Sequence, residues 1–156
     1  MLKNNISVIL NKKVSFPFRK EWIKNISGKI LRLLEITEPI ELGVFITDDK
    51  DLKKLNKIHL GLNEPTDVLS FYMSSRIHDE SDAFVLPPDG IRHLGEVIIS
   101  FERAKSQAVS FGKTIEDEMK LLLVHSILHL LDYDHEKPED ARKMIKKEKE
   151  ILIGLS

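Results

Sequence analysis

Three imidazoles, His125, His129 and His135, stand within the single stretch HSILHLLDYDH at the spacing of a catalytic zinc site. If the stretch is helical, His125 and His129 leave one face a turn apart and can hold one metal ion between them. His135 follows an expected helix end, where a chain that folds back presents a third ring. Three protein ligands leave the fourth tetrahedral position to water. A divalent ion so held lowers the pKa of that water or polarises a phosphoryl oxygen. The chain contains no cysteine, so histidine, carboxylate and water are the available ligands. Zinc is the default for such a set, although the same donors bind nickel or copper. Occupancy should fall with pH through the histidine range, because the ligands must be neutral imidazoles.

The same spacing occurs in proteases with the pattern H-E-x-x-H-x-x-G-x-x-H, whose Glu is the general base. Here that position is Ser126, and the glycine is Asp132. A hydroxyl cannot take a proton as a carboxylate does, so the metal cage is kept while the proteolytic base is lost. A metalloprotease would need its base from elsewhere.

The elements around the histidines must position them. Thr114-Ile115-Glu116-Asp117 reads as an N-cap with acids in the first turn, so a helix should begin near Thr114. Met119, Leu122, Leu123, Ile127 and Leu130 give it an apolar surface broad enough for deep burial. Asp132 can turn the chain at its end and carry Tyr133, Asp134 and His135 back toward the pair. Upstream, strands are expected over Ile6 to Leu10, Glu41 to Thr47, Asp67 to Met73 and Gly95 to Ser100. Pro17 reads as the opening of a helix within Phe16 to Leu34, which Gly28 weakens without vetoing. Thr47 to Asp51 supplies cap candidates for a helix through Leu52, Leu55 and Ile58. A short helix should run from Phe101 to Phe111, and a last one should open at Pro138. Ser74 to Arg92, with Pro87-Pro88-Asp89-Gly90, reads as a surface loop. The expectation is a single α/β (α+β) domain over 1–156. A small four-stranded mixed sheet, about five helices and a centrally packed histidine helix would compose it.

With 156 residues, 42% hydrophobic and 31% charged, the composition fits one soluble domain. No apolar run approaches a membrane span, and the N-terminus does not read as a signal peptide, so a cytoplasmic protein without membrane contact is expected. A net charge of -1 excludes whole-protein attraction to nucleic acid. RNA contact would need a local patch. Lys12, Lys13, Arg19, Lys20 and Lys24 form one candidate, and Arg142, Lys143, Lys146, Lys147 and Lys149 the other. Each also reads as a solvated face interleaved with acids such as Glu21, Glu148 and Glu150.

Leu55-Asn56, the segment PTDVLSF from Pro65 to Phe71, and LGEVIIS from Leu94 to Ser100 precede the histidine motif in order. Together these segments resemble the YbeY family, metal-dependent endoribonucleases of ribosomal RNA maturation. The family signature H-G-x-L-H-L-x-G-Y-D-H is matched except at Ser126 and Asp132, which replace its two glycines. The resemblance implies zinc on His125, His129 and His135. It also implies a cytoplasmic role in small-subunit ribosomal RNA processing and ribosome quality control, with ribosomal RNA precursors and the ribosome as partners. Family members carry Tyr-Arg shortly before P-T-D-V-L-S-F, whereas this chain has His59-Leu60. An arginine pairs bidentately with phosphate and leucine cannot, so Arg103 or Lys57 is a candidate substitute.

The expected reaction is hydrolysis of an RNA phosphodiester at the open metal position, with His125, Asp67 and Asp134 at the reaction centre. Asp67 and Asp134 are candidates to orient a ligand ring or to accept the proton, against plainer roles in turns or caps. Ser70 and Ser100 read better as ordinary strand residues. A different class of function also fits: an assembly factor whose metal is structural. The open fourth position argues against it, since structural zinc sites are usually closed by four protein ligands.

Overall fold

The computed structural model describes residues 4–60, 68–71, 90–131, 133 and 137–156. Its elements are β1 (Asn5–Leu10), α1 (Lys20–Leu33), β2 (Ile40–Thr47), α2 (Asp49–Leu60), β3 (Val68–Phe71), β4 (Arg92–Ser100), α3 (Phe101–Ser110), α4 (Ile115–Leu130) and α5 (Pro138–Leu155). The described strands form one sheet in the order β1-β2-β4-β3. Because α1 crosses over between β1 and β2, those strands run parallel, and β2 pairs parallel with β4. The α/β class and the five helices among the described residues are as the sequence implied. The sheet differs in detail, since its body is three parallel strands and only the four-residue β3 runs antiparallel, on β4.

Alternation along the strands decides the layers. Val8, Leu42, Val44, Ile46, Val97 and Ile99 point to one face and are buried with α1, α4 and α5 in the main core. On the other face Ile98 and Leu52 form a smaller cluster with Phe45 and Leu55 of β2 and α2. β4 begins at Arg92 rather than at Gly95. The register slips between Glu41 and Leu42, so Leu94 is an extra residue and Gly95 resumes the pairing with φ 131. A glycine adopts that angle without a Cβ clash, which is why a residue read as a strand boundary lies inside the strand.

Pro17 does not open the first helix. α1 starts at Lys20 after Arg19, whose backbone is extended. Phe16 packs edge-on against both Phe18 and Phe101, and Phe18 stacks on Trp22 at 4.5 Å. That aromatic packing holds residues 16–18 out of the helix although proline favours its first turn. The other caps follow the side chains read from sequence. Asp48 Oδ1 accepts from Asp51 N–H at 2.8 Å at the start of α2, and Thr114 Oγ1 accepts from Asp117 N–H at 3.1 Å at the start of α4.

Candidate metal centre

α4 occupies the middle of the domain, packing against α1, α3, α5, β3 and β4. From Leu121 to Leu130 the burial pattern has a period of four: Leu121, His125 and His129 are half-buried, and every residue between them is buried. A helix closed on all other sides therefore opens along one line, and two histidines occupy it. Their ring centroids lie 4.7 Å apart at an interplanar angle of 77°. This edge-to-face approach brings two imidazoles together at one turn of helix, as a shared ion requires. Among the described residues no group of three metal-ligating side chains stands together. His135, Asp134, Asp67 and Asp132 lie outside the described residues.

The end of α4 is closed by backbone. Leu131 N–H donates to the Ile127 carbonyl at 3.1 Å, and Tyr133 N–H reaches back to the Leu128 carbonyl at 3.0 Å. The latter is the six-to-one bond of a Schellman motif. Tyr133 also packs against the main core. The chain is thus turned back on its helix two residues before His135.

Ser126, where the family signature has glycine, is fully buried, and its hydroxyl donates to the Leu122 carbonyl at 2.6 Å. An i−4 back-bond satisfies the polar atom within the helix, so the departure is absorbed without a polar orphan.

Glu148 is the residue that the sequence reading missed. Its Oε2 lies 3.1 Å from His125 Nδ1, with the His125 and Glu148 side chains 34% and 20% exposed. Counted in sequence among the acids of a solvated face, it belongs instead to the packed side of α5. Met144, Glu148, Ile151 and Leu155 recur at the spacing of one helix face, and the three apolar members are buried. One acid interrupting an apolar stripe was the signal available in sequence. Its meaning depended on knowing that Glu148 meets His125 of α4.

Other candidates are accounted for differently. Arg103 Nε donates to Asp49 Oδ1 at 3.0 Å, and Ser100 donates to the same oxygen at 2.8 Å. Ser100 also caps α3 by accepting from Arg103 N–H at 3.3 Å. Arg103 is thereby tied to the start of α2, and Ser100 has a local structural role. The side chains of Lys57, His59, Leu60 and Ser70 are not among those described. Of the basic clusters, Arg142, Lys143, Lys146 and Lys149 are exposed on α5, the helix that carries Glu148, and Lys147 is 3.7 Å from Glu150. Lys12, Lys13, Arg19, Lys20 and Lys24 are exposed before and at the start of α1. No helix among the described residues is long and apolar enough to cross a membrane.

Residues 6–156 match the family model described as Endoribonuclease YbeY. Among curated proteins, the chain is 46% identical over 129 residues to the Endoribonuclease YbeY of Roseiflexus sp. (strain RS-1), covering 81% of this chain and 78% of that one. It is 39% identical over 151 residues to the Endoribonuclease YbeY of Dehalococcoides mccartyi (strain CBDB1), covering 92% and 90%. The solution structure of TM1509 from Thermotoga maritima is similar in fold, with a TM-score of 0.61 at 24% identity over 96% of this chain and 87% of that one.

Proposed function

Because the chain belongs to the endoribonuclease YbeY family, we propose that it is a zinc-dependent endoribonuclease of ribosomal RNA precursors, acting in the cytoplasm in small-subunit maturation and ribosome quality control. The observation that carries the metal reading is the open line of α4 between Leu121 and Leu130, where two imidazoles meet edge to face on a stretch otherwise buried. Neutral nitrogen donors without any cysteine suit zinc. His125, His129 and His135 would hold the ion, which when bound supplies the Lewis acidity needed to activate water and polarise a phosphodiester.

The remaining work falls to the protein. Burial of the α4 residues between the rings fixes the spacing of His125 and His129, so the pair itself needs little ordering when the site assembles. Asp67 and Asp134 are the proposed acceptors for the proton released by the attacking water. The exposed cations of α5 supply local positive charge for RNA phosphates on a chain whose net charge of -1 supplies none overall.

Cleavage of a structured ribosomal RNA fragment tests the reading. Zinc-loaded protein, the chelated protein and His129→Ala are compared after each is shown to be folded. Cleavage by the loaded wild type alone is expected. A folded, fully loaded wild type that leaves the RNA intact would refute a stand-alone nuclease. His125→Ala adds a second arm: a catalytic site gives a folded, inactive protein, whereas a structural site loses stability and processing together.

A further inference from the structure

We propose that Glu148 is the positioning residue of the metal centre, holding His125 from the neighbouring helix in the tautomer that puts the ring lone pair on Nε2, where it can serve as the donor to an ion. The inference rests on the reading of the histidines as ligands and adds a residue from α5 to a site otherwise read from α4 and the segment after it.

Three observations converge. Glu148 Oε2 is 3.1 Å from Nδ1 of His125. An ionised carboxylate can only accept, so Nδ1 must carry the hydrogen and Nε2 the lone pair. A neutral imidazole in water favours the opposite tautomer, with hydrogen on Nε2, so the carboxylate reverses the intrinsic preference. Second, Glu148 is placed by packing rather than by its own flexibility. Met144 and Ile151 flank it one turn away on either side along the face of α5, and both are buried. Third, the two side chains are only 34% and 20% exposed, so their interaction is screened less than that of a surface pair. Carboxylates that accept from the second nitrogen of a ligand histidine fix its orientation and raise its basicity.

The test begins on metal-free protein, above the pH at which histidines protonate, by long-range 1H–15N correlation of the ring nitrogens. Wild type is expected to show His125 as the Nδ1–H tautomer, and Glu148→Ala to shift it toward Nε2–H. Glu148→Gln should retain Nδ1–H, because the carboxamide oxygen still accepts. Cobalt(II) is then titrated as the metal probe and followed by its visible absorption. Glu148→Ala should bind about 10–100-fold more weakly with an altered spectrum, and Glu148→Gln should lie between it and wild type. Glu150→Ala, two residues along and paired with Lys147, should leave both readouts unchanged. Thermal unfolding of the metal-free variants separates these effects from misfolding, and Glu148→Gln keeps the side-chain volume if Glu148→Ala unfolds. If wild type binds cobalt and Glu148→Ala matches it in tautomer and affinity, the assignment of Glu148 is overturned while the metal reading stands. A wild type that binds no cobalt overturns the metal reading and the positioning role with it.

Discussion

Replacing Ile127 by Ala tests whether the two histidines are held by the core of the domain. Ile127 is two residues from each ring, so its side chain leaves α4 roughly opposite both, and it is 0% exposed. Truncation removes three carbons, which at about 0.8 kcal/mol per buried methylene is about 2.4 kcal/mol of lost transfer energy. The void left in a close-packed core brings the expected loss to about 3–4 kcal/mol. Domains of this kind are stable by about 5–15 kcal/mol, so the variant should still fold. For a chain of this size the midpoint should drop by roughly 6–16 °C. Urea unfolding of metal-free protein measures the loss, with an unchanged m-value showing that the native state has not loosened. Zinc should then stabilise variant and wild type by the same increment, about 2.7 kcal/mol at a hundred times the dissociation constant, because the proposed ligands lie on the other side of the helix. A loss below about 1 kcal/mol would refute the placement of Ile127 in a tightly packed interior. A zinc increment that vanishes in the variant would refute the separation of core from site.

Ser126→Gly, which restores the family's residue, should destabilise by about 0.5 kcal/mol through backbone entropy while leaving zinc affinity unchanged; denaturant unfolding and chelator competition measure the two effects. Gly28→Ala should stabilise α1 by up to about 1 kcal/mol, because an added Cβ meets nothing closer than Arg32 Nη1 at 3.9 Å; a lower thermal midpoint would contradict the open space seen there. The carboxyl of Glu38 is held below its ordinary value by its own backbone N–H and by the Arg92 guanidinium at 2.9 Å, against partial burial. A depressed carboxyl stabilises the fold above its unfolded pKa and ceases to do so as pH falls through the folded one. Glu38→Gln should therefore be less stable than wild type at neutral pH, with the gap closing below about pH 4.5. A gap that stays constant in urea titrations at pH 3 to 7 would remove the linkage.

Local signals were legible where one element decides them. The helix of the histidines could be read because Thr114 caps it and its apolar residues cover nearly every side, and the i, i+4 pair then marks where it opens. Signals failed where a second element decides. Pro17 is a sound helix opener by local preference, but Phe101, from a distant helix, packs on Phe16 and the helix waits until Lys20. Gly95 reads as a boundary in sequence because a bulge is a property of two strands in register. Glu148 reads as part of a solvated face in sequence because its apolar neighbours give no hint of which partner they face. Asp67 and Asp134, proposed from sequence to orient a ring, lie outside the described residues, and the orienting carboxylate that is described comes from α5.

That difference bears on how the site is built. If the three proposed ligands and their orienting group all came from α4 and the segment after it, the centre would depend only on that stretch. The contact between His125 and Glu148 makes it depend on the placement of α5 as well, whose Met144, Ile151 and Leu155 are buried in the main core. An interface of buried apolar side chains positions to within a fraction of an ångström, because close packing leaves few alternative arrangements. A lone carboxylate on a surface helix would instead sample several rotamers. Loosening α5, for example by Ile151→Ala, should therefore weaken metal binding without touching any ligand. The loss should be no greater than in Glu148→Ala, since the variant retains the carboxylate and gives up only its placement. Cobalt titration of folded Ile151→Ala measures this, and affinity equal to wild type would show that Glu148 finds His125 without help from the packing around it.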